Sequence, residues 1–291
     1  MWATKDSPKQ AYEPDQESRL SHFQPSMCRL AAVTIAGAIA SAQAQPMGGS
    51  EYVAIRASSD FEQMHAGDRG LLAIDIIVED GWHTYWPGVS DTGYGISFKI
   101  DAPDTIELKD PIWPSPKRYL QKGDILDHTY EGTETVIVPF IVKSDAEPGL
   151  VVFNIDTNFL VCDELCLPGK GSTTTAMQIV ASSTTPVATS EHDRIEGIYK
   201  KRPEPFDAKD HAVRLQWITS AAAVMHRDAT RIEFYPNNEC TALLDPIKDA
   251  AANGNRLEIR FNITENKVLS GRLRVMTKQG ELHFDIHETA P

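Results

Sequence analysis

The sequence predicts an all-β protein, a β-sandwich followed by a second, smaller β-rich domain. Hydrophobic residues alternate with polar ones in many short runs, and clusters of turn-forming residues separate these runs. A stretch rich in serine and threonine then divides the runs into two groups. Alternation with a period of two is typical of a half-buried strand. Short strands at this spacing favour a sandwich over a parallel sheet with crossover helices.

The first group of runs predicts the sandwich itself. Leu72, Ile74, Ile76 and Val78 recur at every second position and give the clearest alternation. Similar runs predict strands at 52–57, 96–100, 135–142, 150–155 and 173–180. Glycine-, proline- and aspartate-containing turns lie between them, at 79–81, 102–104, 122–124 and 147–149.

The remaining organisation follows from composition. We assign residues 45–182 to the sandwich, 183–206 to a linker and 207–291 to the second β-rich domain. A short helix is predicted at 191–201 and another within 241–253. Strands of the second domain are predicted at 213–219, 231–235, 257–263, 271–276 and 282–286. This domain has no cysteine pair, and we interpret it as a structural or docking module.

Residues 1–44 predict a leader with a secretory signal peptide. Met27-Cys28-Arg29 begins a short basic region, residues 30–40 form an apolar core, and Ala42-Gln43-Ala44 is an A-x-A cleavage site. The apolar core is too short to cross a bilayer. We therefore expect Met27 to be the true start and cleavage to follow Ala44.

Charge and missing motifs disfavour several classes of function. The net charge is −13, and the leader holds four basic and four acidic residues, so cleavage leaves this value unchanged. Such a charge argues against nucleic acid and anionic membranes as partners. No later run of eighteen apolar residues occurs, so a soluble mature protein is expected. No phosphate-binding loop, H-E-x-x-H or G-x-S-x-G motif is present.

Cys162 and Cys166 are the most informative residues of the chain. Four residues of extended strand span about 13 Å, whereas a disulfide requires a Cα separation of roughly 4.4–6.8 Å. The pair can therefore bridge only if residues 163–165 form a turn. A bridge over so small a loop stabilises a fold weakly, which favours a redox role. A local structural staple and two unpaired thiols remain alternatives. Asp163 and Glu164 would raise, rather than lower, the pKa of a neighbouring thiol.

Cys240 is the odd cysteine of the mature chain. Signal cleavage removes Cys28, so Cys162, Cys166 and Cys240 remain. In an oxidising compartment the unmatched cysteine is a free thiol or an intermolecular partner. We expect Cys240 to be a buried, inert thiol.

Three motifs occur in the order found in a known family. They are G-W-H-T-Y-W-P-G at 81–88, W-P-S-P at 113–116 and C-D-E-L-C-L-P at 162–168. Together they resemble the periplasmic N-terminal domain of DsbD-type thiol:disulfide interchange proteins, including the ScsB-like branch, over roughly residues 51–200. The resemblance implies an immunoglobulin-like sandwich in the periplasm, with Cys162 and Cys166 as the catalytic pair.

The same resemblance implies which residues line the site. His83, Tyr85 and Trp86 match an aromatic strand that lies beside the pair. Residues 127–132 resemble a short cap loop, with Asp127 and Tyr130 as lining residues and Thr129 at a position where a shielding aromatic is expected. The resemblance further implies that Cys162 forms the mixed disulfide with a partner.

Partners also follow from the resemblance. A membrane-embedded thiol donor would supply electrons, and periplasmic thioredoxin-like oxidoreductases would accept them, in a setting related to cytochrome c biogenesis. The chain has neither a membrane-spanning segment nor a C-x-x-C motif. We therefore expect a free-standing version, with no cofactor and no resident metal.

Two alternatives to this relay remain open. Soft thiolates select Cu(I), and Cys162, Cys166 and His83 could supply its ligands, although the methionines are scattered. The chain could instead be a non-catalytic interaction module with a fixed structural disulfide. Whether such a relay counts as an enzyme is a matter of definition.

Overall fold

A computed structural model describes residues 48–207 and 213–291. The predicted leader, the Met27 start and the cleavage site after Ala44 lie outside these residues. The described part is all-β, as predicted, and forms one compact unit. None of its helices is long and apolar enough to cross a membrane.

The first half of the described chain contains twelve strands, followed by the longer of two α-helices. A single 3-10 turn, Gly49–Glu51, precedes them. The strands are β1 (Val53–Ser59), β2 (Phe61–Met64), β3 (Arg69–Val78), β4 (His83–Tyr85), β5 (Ser97–Asp101), β6 (Ile106–Leu108), β7 (Lys117–Gln121), β8 (Ile125–Tyr130), β9 (Thr133–Val142), β10 (Gly149–Cys162), β11 (Cys166–Ile179) and β12 (Val187–Ala188), and the helix is α1 (His192–Lys200).

The second half contributes eight more strands and one short helix. They are β13 (Glu204–Pro205), β14 (Val213–Ile218), β15 (Ala221–His226), β16 (Ala229–Pro236), α2 (Pro246–Asp249), β17 (Ala251–Asn253), β18 (Arg256–Arg260), β19 (Val268–Thr277) and β20 (Gly280–Thr289).

Two sheets form the first sandwich. One has the strand order β1-β3-β9-β6, and the other has the order β12-β2-β11-β10-β4-β8-β7, with β5 added beside β10. Their facing side chains form one hydrophobic core. Leu72, Ile74 and Ile76 enter this core from β3, and Phe153 and Phe159 enter it from β10. The alternation read from the sequence is therefore the alternation between core and outer face.

A long hairpin determines where the cysteines lie. Strands β10 and β11 pair without a bulge from Gly149↔Ile179 to Cys162↔Cys166. Phe159 is fully buried and lies opposite Gly169, where a Cβ would come within 2.2 Å of the phenyl ring. Glycine at this position lets the aromatic ring cross the neighbouring strand. The sequence predicted only residues 150–155 and 173–180 of this hairpin, because its far half is rich in polar and glycine residues.

The second half of the chain forms two further sheets around a separate core. Their strand orders are β13-β20-β19-β16-β17 and β14-β15-β18. Ile232 and Phe234 of β16 and Leu273 of β19 are fully buried in this core. The predicted strands at 213–219, 231–235, 271–276 and 282–286 lie within or beside these elements. Strand β15 was missed because Ala221-Ala222-Ala223-Val224 gives no alternation.

Polar and aromatic contacts join the two halves. The Arg118 guanidinium of β7 donates to the carbonyl oxygens of Pro246, Ile247 and Ala250, at 3.3, 3.0 and 3.4 Å. Tyr235 of β16 packs into the core of the first sandwich. Residues 187–200 also lie against that sandwich, since β12 pairs with β2 and α1 buries Ile195 against β3 and β9. The division at 183–206 stays a prediction.

The Phe159→Ala variant should lose about 3–5 kcal/mol of unfolding free energy, because the fully buried ring would leave a cavity in the sandwich core. Urea unfolding of the disulfide-intact protein measures this loss. Leu150→Ala on the same strand is the matched control. Its side chain is 71% exposed, so a change within about 0.5 kcal/mol is expected. Equal losses in the two variants would contradict the assigned core.

Candidate functional site

The tip of the long hairpin carries a disulfide. Cys162 ends β10, Cys166 begins β11, and the two are register partners with a Cα separation of 4.2 Å. Asp163, Glu164 and Leu165 form the turn, in which the Leu165 amide donates to the Asp163 carboxylate at 2.9 Å. The turn that the spacing required is therefore a three-residue β-hairpin loop. Closing so short a loop adds only about 2 kcal/mol of stability by loop entropy.

The two cysteines differ in their exposure to solvent. Cys162 is 2% exposed, whereas Cys166 is an exposed residue. Strand β4 covers β10 beside Cys162. On the other side, β2 joins β11 only at Gln178 and Ile179, far from Cys166. Cys166 is therefore the more accessible of the two cysteines.

Strand register places three of the five predicted lining residues on the face of the sheet that carries the disulfide. Directly paired residues share a face of a sheet, and neighbours along a strand alternate. His83 pairs with Cys162, and Tyr85, two residues along, lies on the same face. Tyr85 pairs with Thr129, so Asp127, two residues before Thr129, shares this face too. The face lies opposite the sandwich core.

Tyr85 contacts both sulfurs. Its hydroxyl oxygen is 3.2 Å from Sγ of Cys162 and 3.9 Å from Sγ of Cys166. The side chain is 1% exposed, and this burial raises the pKa of the phenol. Gly93, at φ +71°, lies against the ring, where a Cβ would come within 2.5 Å of it. Glycine is therefore required for the chain to pass over Tyr85.

His83 lies beside this contact as a buried, neutral imidazole. It is 5% exposed, and its Nε2 has no hydrogen-bond partner among the described residues. Burial lowers the pKa of His83, while the carboxylates of Glu131, Asp127 and Asp163 act in the opposite direction. The ring of Tyr119 from β7 lies 4.7 Å from the imidazole. His83 is therefore a buried residue beside the disulfide.

Trp86 and Tyr130 do not line the disulfide. Tyr130 pairs with Thr84, and Thr84 pairs in turn with Val161 of β10. Tyr130 therefore shares the core face with Val161. The Tyr130 hydroxyl donates to the carbonyl oxygen of Pro114 at 2.8 Å, and its side chain is fully buried. Trp86 likewise belongs to the sandwich core. Their predicted role beside the pair is wrong, because a strand alternates its side chains between two faces.

The predicted cap loop at 127–132 is also corrected. Residues 125–130 form strand β8, paired with β4 on one side and β7 on the other, so they are interior sheet rather than a mobile cover. The loop at 87–96 covers Tyr85 instead. Asp127 anchors that loop, since its carboxylate accepts hydrogen bonds from the amide and the hydroxyl of Thr92 at 2.8 and 2.6 Å.

Sequence reasoning missed the residues of this covering loop and Tyr119. The run Ser90-Asp91-Thr92-Gly93-Tyr94-Gly95 carries a clear turn signal, but nothing local indicates what it covers. The Tyr94 hydroxyl donates to the carbonyl oxygen of Phe159 at 3.1 Å, which holds the loop against β10. Only pairing between distant strands brings these residues to the pair.

His128 illustrates how deeply β8 is buried. Its Nδ1–H donates to the carbonyl oxygen of Val89 at 2.6 Å, and its ring lies against Trp86 and Tyr235. Its Nε2 has no partner among the described residues. Burial lowers the pKa of His128 to about 4. The imidazole is neutral and serves the packing of the two halves of the chain.

Cys240 lies far from the pair in sequence and packs on the second core. Its thiol donates to the carbonyl oxygen of Thr241 at 3.4 Å, and burial raises its pKa to about 11. Cys240 is thus a free, weakly reactive thiol. In the described part of the chain, no group of three or more His, Cys, Asp or Glu residues is arranged to hold a metal ion.

Comparison with protein families identifies the first half of the chain. The family model described as "Thiol:disulfide interchange protein DsbD, N-terminal" matches residues 53–178. This stretch is a DsbD-type N-terminal domain. The match begins at β1 and ends within β11, so it takes in both sheets of the sandwich and the disulfide at the hairpin tip. None of the curated proteins matches the chain.

One solved structure shares the fold of most of this chain. The N-terminal periplasmic domain of ScsB from Proteus mirabilis matches with a TM-score of 0.52 at 15% identity, covering 84% of this chain and 96% of that one. The DsbD N-terminal domain of Neisseria meningitidis, in its reduced form, matches at 15% identity with a TM-score of 0.27, covering 50% and 96%. The predicted immunoglobulin-like sandwich is confirmed. The DsbD-type domain and its disulfide together support thiol–disulfide exchange in general terms.

The unfolding free energy should decrease as the pH is lowered from 6.5 to 4, because of His128. The unfolded imidazole binds a proton near pH 6.5, whereas the folded one resists protonation until about pH 4. Stability is therefore complete above pH 6.5 and is lost as the pH falls, by up to about 3 kcal/mol. Urea unfolding across this range measures the slope. His128→Gln should flatten it, and parallel profiles for variant and wild type would contradict the assignment.

Proposed function

We propose that this protein is a periplasmic thiol–disulfide exchange relay that uses the Cys162–Cys166 pair. The observation that carries the proposal is the disulfide at the hairpin tip, which joins one buried and one exposed cysteine. Thiol–disulfide exchange needs two sulfurs, a path for an incoming thiolate and a controlled leaving sulfur. A disulfide used only as a staple has no need of such an asymmetry.

The exposed sulfur is the point of entry. A partner thiolate attacks Sγ of Cys166, a new S–S bond forms to the partner, the Cys162–Cys166 bond breaks, and its electron pair stays on Sγ of Cys162. A second thiolate of the partner then attacks the mixed disulfide and leaves this protein as the dithiol. Donation of electrons follows the same steps in reverse. We therefore place the mixed disulfide on Cys166, in place of the assignment to Cys162.

Partners and location complete the proposal. The electron donor is a membrane-embedded thiol protein, and the acceptors are thioredoxin-like oxidoreductases of the periplasm. The match to a DsbD-type domain and the predicted signal peptide support this setting. The hairpin loop adds an exposed leucine, Leu165, between two carboxylates and Cys166. A partner that docks on Cys166 contacts this loop.

The reduction potential of the pair should fall between about −120 and −270 mV, the range of known exchange proteins. It is measured by equilibrating the protein in graded glutathione or dithiothreitol buffers and counting alkylated thiols by mass. A potential below about −300 mV is typical of structural disulfides. That result would reject the relay in favour of the interaction module with a fixed disulfide.

Single cysteine variants should identify the entry sulfur. Reduced Cys162→Ala, which keeps the exposed Cys166, should form a mixed disulfide with glutathione disulfide. Reduced Cys166→Ala, which keeps the buried Cys162, should react more than about tenfold more slowly, because access limits exchange. Peptide mass spectrometry reads the modified site, and Cys240→Ala serves as the control with an unaltered pair. Equal rates would contradict entry at Cys166.

A further inference from the structure

We propose that Tyr85 is a catalytic residue of the exchange reaction, because its hydroxyl holds the charge that develops on the leaving sulfur of Cys162. This inference deepens the proposed function and rests on it. It gives the buried aromatic a chemical role that a packing residue lacks. It also explains why the sulfur least accessible to a partner is still usable in the reaction.

The hydrogen-bond geometry carries the inference. The Tyr85 hydroxyl is 3.2 Å from Sγ of Cys162 and 3.9 Å from Sγ of Cys166, so it lies closer to the buried sulfur. The sulfurs of a disulfide carry no hydrogen, and the hydroxyl is therefore the donor. Within residues 48–207 and 213–291, no other donor reaches either sulfur.

Opening of the disulfide leaves a negative charge on Cys162, and this charge needs a hydrogen-bond donor. When a thiolate attacks Sγ of Cys166, the electron pair of the broken S–S bond moves to Sγ of Cys162, which is 2% exposed. A buried anion without a hydrogen-bond partner is costly. A hydrogen bond to a charged acceptor is stronger than one between neutral groups. Because burial raises the pKa of Tyr85, the phenol keeps its proton and remains a donor.

The cation beside His83, Lys117, is paired with the Glu131 carboxylate at 3.0 Å. The titratable groups that face His83 and Tyr85 are Asp127 from β8, Tyr119 from β7, Glu131 after β8 and Asp163 from the hairpin loop. The carboxylates among them disfavour a thiolate, and His83 is neutral because burial lowers its pKa. The phenol hydroxyl is therefore the group that favours charge on Cys162.

Tyr85 is held in place before any partner arrives. Its strand, β4, is paired with β10 on one side and β8 on the other. The covering loop presses Gly93 against the ring, and Asp127 fastens that loop through Thr92. A donor that is already oriented toward the site of developing charge needs no reorganisation during the reaction.

The donor should also bias the direction of exchange. A lower pKa makes a thiol a better leaving group and a weaker nucleophile. By stabilising the Cys162 thiolate, Tyr85 speeds opening of the disulfide by an incoming thiol. It slows the return attack of Cys162 on a mixed disulfide at Cys166. The arrangement thus favours acceptance of electrons and a longer-lived mixed disulfide.

The test is the Tyr85→Phe variant of the full chain, with Tyr94→Phe as matched control. Tyr94→Phe also removes one hydroxyl, but that hydroxyl bonds to the Phe159 carbonyl oxygen and not to a sulfur. Both proteins are reduced with a phosphine, and the pKa of each cysteine is measured by titrating its ¹³Cβ NMR signal. In Tyr85→Phe the pKa of Cys162 should rise by about one unit or more. In Tyr94→Phe it should match the wild type.

Kinetics give a second readout. Opening of the disulfide by dithiothreitol should be several-fold slower in Tyr85→Phe and unchanged in Tyr94→Phe. An unchanged Cys162 pKa in Tyr85→Phe would overturn the inference, as would an equal rise in both variants. If Tyr85→Phe does not fold, 3-fluorotyrosine at position 85 replaces it. This stronger donor should lower the Cys162 pKa, and a rise or no change would overturn the inference.

These outcomes separate the inference from the proposed function. The thiol pKa is measured on the protein alone, so it does not depend on any partner. A raised Cys162 pKa in Tyr85→Phe, together with a potential in the range of structural disulfides, would support the role of the phenol and reject the relay. An exchange-range potential with no Tyr85 effect would leave the relay in place and reject the role of the phenol.

Discussion

The unbroken register of the β10–β11 hairpin is the constraint on which the site depends. Fourteen consecutive pairs run from Gly149↔Ile179 to Cys162↔Cys166. A slip of one residue would turn the buried side chains of β10 toward solvent, so the core fixes the register over the whole length. Phe159, three residues before Cys162, is the last large anchor of this set. The cysteines face each other because the aromatic and aliphatic residues behind them cannot shift.

The same register gives the two sulfurs different surroundings. At its tip, β10 is an interior strand and β11 is an edge strand, so Cys162 is covered and Cys166 is open. Sheet topology alone therefore separates a buried cysteine from an exposed one. No charged activating group is needed for this distinction. The buried side adds a donor, Tyr85, from the strand that does the covering.

The second half of the chain contributes to the site indirectly. Tyr235 and His128 pack together at the junction of the halves, and the amide of Val89, in the covering loop, donates to the Pro236 carbonyl oxygen. Arg118, on the strand that carries Tyr119, is fixed by carbonyl groups of the second half. The loop and strand that flank the pair thus rest on the second β region, which gives that region a structural role in holding the site.

The sequence by itself determined the all-β class, the hydrophobic alternation of the main strands and the cysteine pair, because these depend on local periodicity and spacing. The pair's neighbours could not be assigned this way. Trp86 and Tyr130 lie in segments predicted to flank the site yet point into the core, whereas Tyr85 reaches the sulfurs. Side-chain direction depends on strand pairing between distant segments, and so does burial of Cys162. Only the tertiary structure decided these points.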